Sequence, residues 1–292
     1  MILERLRIFV AVAEREHVTR AAQSLHLTQS AVSNAIAALE NEHDVKLFDR
    51  IGRGVTLNAA GQAFLPEARA VLARAAAAEA ALADLSGLRR GRLTLWASQT
   101  IAGYWLPERL VAFNKTYPGV TLEVSVGNSR EVADAVLDGS AEIGLIEGEI
   151  DESLLDEAIV GADRLAVLIT PDHPWAGAKR LRAEMLLDQP WVLREQGSGT
   201  RSSFETALRD AGAAPELLNV IMTLPSNEAV LTAALAGAGA TALSQSVAEA
   251  AIASGRLKRA AFDLPERPFR LLRHTARYRS RAAQAFVDQL NV

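Results

Sequence analysis

Residues 19–53 read TRAAQSLHLTQSAVSNAIAALENEHDVKLFDRIGR, and this stretch decides how the front of the chain folds. Thr19 is a helix-capping residue type, and Ala21, Ala22 and Leu25 then fall on one side of a short helix. Leu27 marks a turn, and Thr28 is placed to cap a second helix running to about Glu40. Along that helix Ala31, Val32, Ala35, Ile36 and Leu39 recur at helical spacing as a stripe for burial. The opposite stripe is Ser30, Ser33, Asn34 and Ala37, with Gln29 in the first turn. It is polar, short and uncharged. Small hydroxyl and amide groups of this kind reach base edges in a major groove without long flexible stems. The pattern reads as a helix-turn-helix.

The neighbouring residues extend this motif. Leu6, Phe9, Val10, Val12 and Ala13 give the helix from about Leu3 to Glu14 an apolar face for packing on the pair that follows. After about Asp44, Leu47-Phe48 starts a short strand, residues 50–54 make a turn, and Val55-Thr56-Leu57 returns, which is a two-stranded wing. Arg53 at its tip suits a minor groove or a phosphate; the plain alternative is a solvated turn arginine. Residues 1–60 hold seven Lys/Arg and seven Asp/Glu, and the whole chain carries −4. Attraction to phosphate therefore has to come from local placement of Arg20, Lys46, Arg50 and Arg53, not from a bulk field.

These residues carry a family resemblance. The segment resembles the N-terminal domain of LysR-type transcriptional regulators. That pattern has two alanines, a Gln-x-Ala-x-Ser entry into the recognition helix, Ile-x-x-Leu-Glu, and Leu-Phe-x-Arg-x-x-Arg. Here the matching positions are Ala21, Ala22, Gln29, Ala31, Ser33, Ile36, Leu39, Glu40, Leu47, Phe48, Arg50 and Arg53, followed by Thr56, Leu57, Ala60 and Gly61. His43-Asp44 stands where the pattern usually has Leu-Gly, and Asn58 where Thr is common. Asp tolerates the left-handed backbone a glycine would supply, and Asn caps a helix as well as Thr does.

Composition bounds what else the chain can be. At 292 residues, with 49% hydrophobic and 23% charged residues, two or three well-filled domains are expected. Cysteine is absent, which excludes disulfides, thiolate metal sites and a cysteine nucleophile. Glu4 and Arg5 leave no room for a secretory signal, and no apolar run reaches 18 residues, so the expectation is a cytoplasmic protein with no membrane partner. From Asn58 to about Leu85 the chain is an Ala-rich helix with Phe64, Leu65, Ala68, Val71, Leu72, Ala75, Ala78, Leu82 and Leu85 near heptad spacing. It fits a dimer linker; intramolecular packing is the plain alternative. Residues 86–91 read as a hinge.

Beyond residue 91, short apolar runs at 92–97, 120–126, 143–146, 165–169, 191–193, 220–223 and 240–243 alternate with helical patterns, including one helix from about Thr100 to Tyr117. Such alternation predicts parallel sheets in an α/β fold. In parallel α/β lobes ligands sit at the carboxyl ends of strands. Four segments offer donors there: Ser98-Gln99-Thr100; Gly197-Ser198-Gly199-Thr200-Arg201; Ser226-Asn227; and Ser244. Each alone is an ordinary helix cap. Together they favour a small anion, an inorganic oxyanion or a carboxylate, with Arg201 as the nearest cation. Glu147, ending the strand 143–146, opposes an anion unless it is protonated or paired, for instance with Arg201. It also suits an amine or a ligand hydroxyl. Seven acids in residues 142–157 and nine Lys/Arg in 256–281 are either solvated faces or an interface.

The family resemblance implies a complete plan. A winged helix-turn-helix domain (1–58) leads through a linker and dimerisation helix with hinge (59–90) to an effector-binding domain (91–292). The first part is all-α apart from its wing. The last is an α/β two-lobed, periplasmic-binding-protein-like (type II) domain, with one lobe from 92–161 and 268–292 and the other from 162–267. Implied partners are double-stranded DNA, a small-molecule effector, a homodimer through the linker helix joined into a homotetramer, and RNA polymerase. The Gly-Ser-Gly-Thr-Arg turn resembles the branch regulating sulfur metabolism and carbon fixation. The implied DNA contacts are Arg20, Thr28, Gln29, Ser30, Ser33, Asn34, Arg50 and Arg53. No cofactor or metal is expected and no enzyme. His17, His26, His43, His173 and His274 show no paired ligand spacing, and nucleotide-binding glycine motifs are absent. A solute-binding transport protein would have no use for a helix-turn-helix.

Overall fold

The computed structural model describes residues 2–52, 54–84 and 91–290. It divides into two compact units, mainly residues 1–85 and mainly 86–292. In the first, α1 (Ile2–Arg15), α2 (Val18–Ser24) and α3 (Gln29–His43) precede the hairpin β1 (Phe48–Ile51) and β2 (Gly54–Leu57), and α4 (Ala59–Asp84) follows. Ile8, Ala11, Val12, Ala21, Ala22 and Val32 form one apolar cluster. Leu6, Phe9, Leu39, Leu47 and Ala68 form another, so α4 closes the bundle from below. Phe9 sits between Phe48 and Phe64, with ring centroids 5.4 and 5.1 Å away.

Three local details differ from expectation. Helix α2 starts at Val18, preceded by an extended His17 with no side-chain cap, so Thr19 lies inside the helix and is not its cap. The turn into α3 is made at His26, not Leu27. His26 takes a left-handed φ of 55°, and Leu27 N donates to Ala22 O over 2.9 Å in a Schellman closure. Ala31 is exposed on the α3 surface, so the buried stripe reduces to Val32 and Leu39, with Ala35 and Ile36 half-buried. Asp44 does adopt the left-handed conformation (φ 50°) that ends α3, and Asn58 Oδ1 accepts from Gly61 N at the start of α4.

The second unit contains β3 (Gly91–Ser98), α5 (Gln99–Tyr104), α6 (Leu106–Thr116), β4 (Val120–Gly127), α7 (Ser129–Asp138), β5 (Ile143–Glu147) and β6 (Leu155–Ile169). It continues with β7 (Pro190–Arg194), α8 (Gly199–Asp210), β8 (Asn219–Leu224), α9 (Asn227–Leu235), β9 (Thr241–Ser244), α10 (Gln245–Ala253), β10 (Lys258–Arg259), β11 (Glu266–His274) and α11 (Arg281–Gln289). The single helix expected over 100–117 is two, broken at Trp105. Pro107 has no N–H to donate and is tolerated only in a first turn, so a new helix begins there.

The sheets are mixed, not purely parallel. β3 runs parallel to β4 and β5, and β7 parallel to β8, as the alternation implied. The seven-stranded sheet has the order β10-β6-β11-β5-β3-β4, with β9 also on β6, and β11 is antiparallel to both β5 and β6. Strand β6 is 15 residues long, three times the expected run. Its first part alternates half-buried and exposed residues against β11. Its last five residues are all buried against β9 and β10. It thus passes from one apolar core, built on Leu93, Leu95, Ile143, Phe269 and Phe286, into a second, built on Val167, Trp191, Phe204 and Ala242. A bulge at Phe269/Arg270 interrupts its pairing with β11 beside Gly161 and Trp105.

Some charges of the two runs pair within the chain. Arg270 pairs with Glu157 and Arg279 with Asp156, both at 2.9 Å, and Ser280 Oγ lies 3.1 Å from Glu142 Oε2. The acidic and basic segments meet within the chain, along β6 and β11.

Candidate functional site

The first site is the face of α3. Thr28, extended at φ −78° and ψ 150°, accepts from Ala31 N through Oγ1 at 3.2 Å and starts the helix. Gln29, Ser30, Ser33, Asn34 and Ala37 are all exposed, so the polar face expected to read bases is free. Arg20 and Arg50 are exposed as well. Arg53 lies outside the described residues. Lys46 is engaged differently from expectation, because its Nζ pairs with Glu40 Oε2 at 2.7 Å.

Glu40 is the buried polar side chain on which the wing is hung. Its Oε1 accepts from Leu47 N at 2.9 Å, fixing the chain as it enters β1. Burial alone would push this carboxyl up. The Leu47 N–H and the Lys46 ammonium outweigh that and hold it below its ordinary value. Gly61 completes the joint: a Cβ there would stand 2.1 Å from Leu47 O, so only glycine lets α4 approach the wing.

The second site is a cluster of buried polar groups in the second unit, where strand ends run into helix starts. Ser98 and Thr100 are buried where β3 runs into α5. Across from them α9 presents Asn227, also buried. Asn227 Nδ2 donates to Thr100 Oγ1 at 3.2 Å, and Asn227 N donates to Gln99 Oε1 at 2.9 Å. Gln99 Nε2 donates to Pro225 O at 3.0 Å. At the start of α8, Ser198 and Thr200 are buried, and Ser198 places no side-chain oxygen on the first-turn N–H groups behind it. Gly197 takes φ 87°, and its carbonyl accepts from Arg130 N. Gly199 packs so closely that a Cβ would meet Glu147 O at 2.2 Å, which brings α8 directly onto the end of β5.

Glu147 is buried there, with its Oε1 lacking any hydrogen-bond partner, and the Ser98 hydroxyl is equally buried and unpartnered. Ser129 Oγ donates to the Glu147 carbonyl at 2.9 Å and steadies the strand end.

The cation in the cluster is not Arg201. Its Nε binds Glu205 at 2.7 Å and one Nη donates to Arg194 O at 3.0 Å, so it is folded back along α8. Its place is taken by Arg267 of β11, which pairs with Asp163 at 2.8 Å, donates to Thr200 Oγ1 at 3.2 Å and stands 3.8 Å from Glu147. Ser244 Oγ donates to Asp163 Oδ1 at 3.0 Å while accepting from Ser246 N at 3.1 Å. Ser226 Oγ accepts from Ala229 N, the plain capping role. Arg194, also buried, donates to Asn227 Oδ1 and forks onto Glu195, whose carboxyl is held below its ordinary value because that pairing outweighs burial.

Arg194, Asp163 and Arg267 were not singled out from sequence. Arg267, Phe269 and Leu271 are buried at alternate positions of β11, a strand that is not among the short apolar runs visible in the sequence. Among the described residues no group of His, Cys, Asp or Glu is placed to hold a metal, and no helix is long and apolar enough to cross a membrane.

A helix-turn-helix with a wing, joined in one chain to a two-core α/β unit that buries a cluster of polar groups at its strand ends, defines a DNA-binding regulator that carries its own sensor. The comparisons agree. Residues 3–62 match the bacterial regulatory helix-turn-helix model of the lysR family, and residues 86–291 match the LysR substrate binding domain. The chain belongs to the LysR family of DNA-binding transcriptional regulators, and the families and relatives it matches are regulators, not enzymes. It is 34% identical over 288 residues to the uncharacterized HTH-type regulator YeiE of Escherichia coli K12, covering 98% of this chain and 96% of that one. It is 34% identical to the regulator CysL of Bacillus subtilis (85% and 82% covered) and 33% to the RuBisCO operon transcriptional regulator of Allochromatium vinosum (87% and 83%). The second fits the carbon-fixation side of the branch that the Gly-Ser-Gly-Thr-Arg turn resembles. Full-length CbnR, solved with its target DNA, shares the fold over the whole chain with a TM-score of 0.69 at 22% identity, covering 99% of that chain. The regulatory domain of Synechocystis CcmR, solved with 2-PG, matches 69% of this chain and 96% of its own, with a TM-score of 0.62 at 27% identity.

Proposed function

We propose that this regulator binds promoter DNA through Gln29, Ser30, Ser33 and Asn34 of α3, with Thr28, Arg20, Arg50 and Arg53 on the phosphates, and that a small anion held at the buried polar cluster controls it. The observation that supports the sensing half is a set of buried polar groups, Ser98, Thr100 and Asn227 on one side and Ser198, Thr200 and Arg267 on the other, linked by Asn227–Thr100 and Arg267–Thr200 hydrogen bonds, with the start of α8 left uncapped. Helix N-termini and buried hydroxyls recognise carboxylates and oxyanions, and Arg267 supplies charge that Asp163 already shares. The matching CcmR regulatory domain, solved in complex with 2-PG, supports a small-molecule ligand for this domain. The working division is 1–58 for reading, 59–90 for linking and 91–292 for sensing, with lobes of 92–161 plus 268–292 and of 162–267.

A second copy of the chain completes the assembly. An apolar groove of about 420 Å³ opens between α1, α3 and α4, lined by Ile2, Leu6, Leu39, Val45, Phe64 and Val71, and Val71 and Leu82 project from α4. That surface suits a partner's α4. The sensing unit leaves Val126 on β4 and Ile221 on β8 more than half exposed, two further apolar edges through which dimers can join as tetramers. Two heads on adjacent major grooves compensate for the balanced charge of each. The effector shifts the assembly only by its difference in affinity between two arrangements of the lobes. Action is in the cytoplasm, next to RNA polymerase.

The test is a thermal-shift titration of the full chain with sulfate, phosphate and small carboxylates beside Thr100→Ala. Stabilisation by one anion, lost in the variant, is the expected result. No shift with any anion counts against the anionic effector.

A further inference from the structure

The buried polar cluster has one feature that an anion alone does not satisfy. Glu147 Oε1 is buried and accepts no hydrogen bond. Arg267 stands 3.8 Å away and spends its closer contacts on Asp163 and Thr200. Ser98 Oγ, at the end of the neighbouring parallel strand, is buried and equally unpartnered. A buried carboxylate oxygen left without a donor is costly, and a ligand that brings the donor recovers that cost. The close seat of Gly199 on the Glu147 carbonyl fixes the start of α8 beside this residue, so donors for an anion and an acceptor for a proton stand next to each other.

We infer that Glu147 is a specificity-determining residue: the effector is an anion that also carries an O–H, which it donates to Glu147. A monoprotonated oxyanion or a hydroxycarboxylate fits, and a fully deprotonated isostere is rejected. The inference rests on the cluster being the effector site. Its physical basis is the strong penalty such sites impose on analogues that lack the matching donor, because the buried acceptor then stays desolvated and faces negative charge.

The experiment uses the full-length protein and two matched pairs of probes, phosphate against sulfate and glycolate against acetate. Binding is followed by calorimetry at neutral pH, where phosphate keeps a proton and sulfate keeps none. The native protein is expected to favour the donor-bearing member of at least one pair by about 100-fold or more. Glu147→Gln, whose amide offers a donor as well as an acceptor, is expected to bring the two members within about threefold, chiefly by tightening the donor-free probe. Equal binding of the two members by the native protein overturns the inference, and so does discrimination that persists in Glu147→Gln. If a donor-free anion binds natively and Thr100→Ala abolishes it, the effector-site reading survives and the role of Glu147 falls. If no probe binds, both fall.

Discussion

Replacing Glu40 with alanine tests how the wing is held to the reading helix, and the structure sets the size of the effect. Leu47 N would lose its only acceptor in a buried joint, where an unsatisfied amide costs about 1–3 kcal/mol. The Lys46 contact adds little, no more than about 0.5 kcal/mol, because the Lys46 side chain is 69% exposed. A loss of about 2 kcal/mol follows, or a fall of roughly 1–2 M in the urea midpoint for a unit of this size. Glu40→Gln keeps an acceptor for Leu47 and is expected to lose about half as much. The distribution of tryptophan provides the assay. Trp96, Trp105, Trp175 and Trp191 all lie beyond residue 85, so indole fluorescence follows only the sensing unit, while far-UV circular dichroism follows the helices of both. Glu40→Ala should move an early helical transition and leave the fluorescence transition in place. The native effect also has a pH signature. The folded carboxyl is held below its ordinary value, so its stabilisation is present above the ordinary carboxylate range and disappears as pH falls through the lower, folded value. Both variants should flatten that acid limb. A Glu40→Ala protein with native midpoints, or one whose two transitions move together, would refute the reasoning.

Two further predictions concern DNA. Ser33→Ala or Asn34→Ala should weaken specific binding by about 1–3 kcal/mol per lost base contact while barely changing non-specific binding, as measured by competition against random duplex; equal losses on both would remove α3 as the reader. Arg53→Ala should lower affinity for all sequences and reduce the slope of log affinity against log salt by about one, and an unchanged slope would place the wing off the phosphates.

The parts legible in the sequence were those specified locally. Thr28 and Asn58 bind backbone N–H groups within three residues, so their caps could be read directly. Asp44 announced its left-handed turn by standing where glycine is usual. The polar positions at the ends of β3, β7 and β9 were equally visible, since each is a strand end running into a helix start. What escaped was set by pairing over long separations. Arg267 meets Asp163 through a ladder that joins segments 104 positions apart, and no local period reports that register. Arg201 looked like the cluster's cation because it follows the glycines, yet a glutamate four residues on, at Glu205, holds it along its own helix. Ala31 fell on the expected apolar stripe but lies at the helix start, beyond the reach of the bundle.

Strand β6 has a mechanical consequence. Because one unbroken 15-residue strand, paired with β11, runs from the first core into the second, the lobes are joined by a ribbon and not by a loose joint. A ribbon resists shear and stretching and yields most readily to torsion. The bulge at Phe269/Arg270 breaks the regular pairing of this ribbon, and Trp105 sits there, edge-on to Phe269 with ring centroids 5.7 Å apart and with its Nε1 2.9 Å from where a Gly161 Cβ would lie. The chain thus carries a fluorophore on the ribbon that connects its two cores.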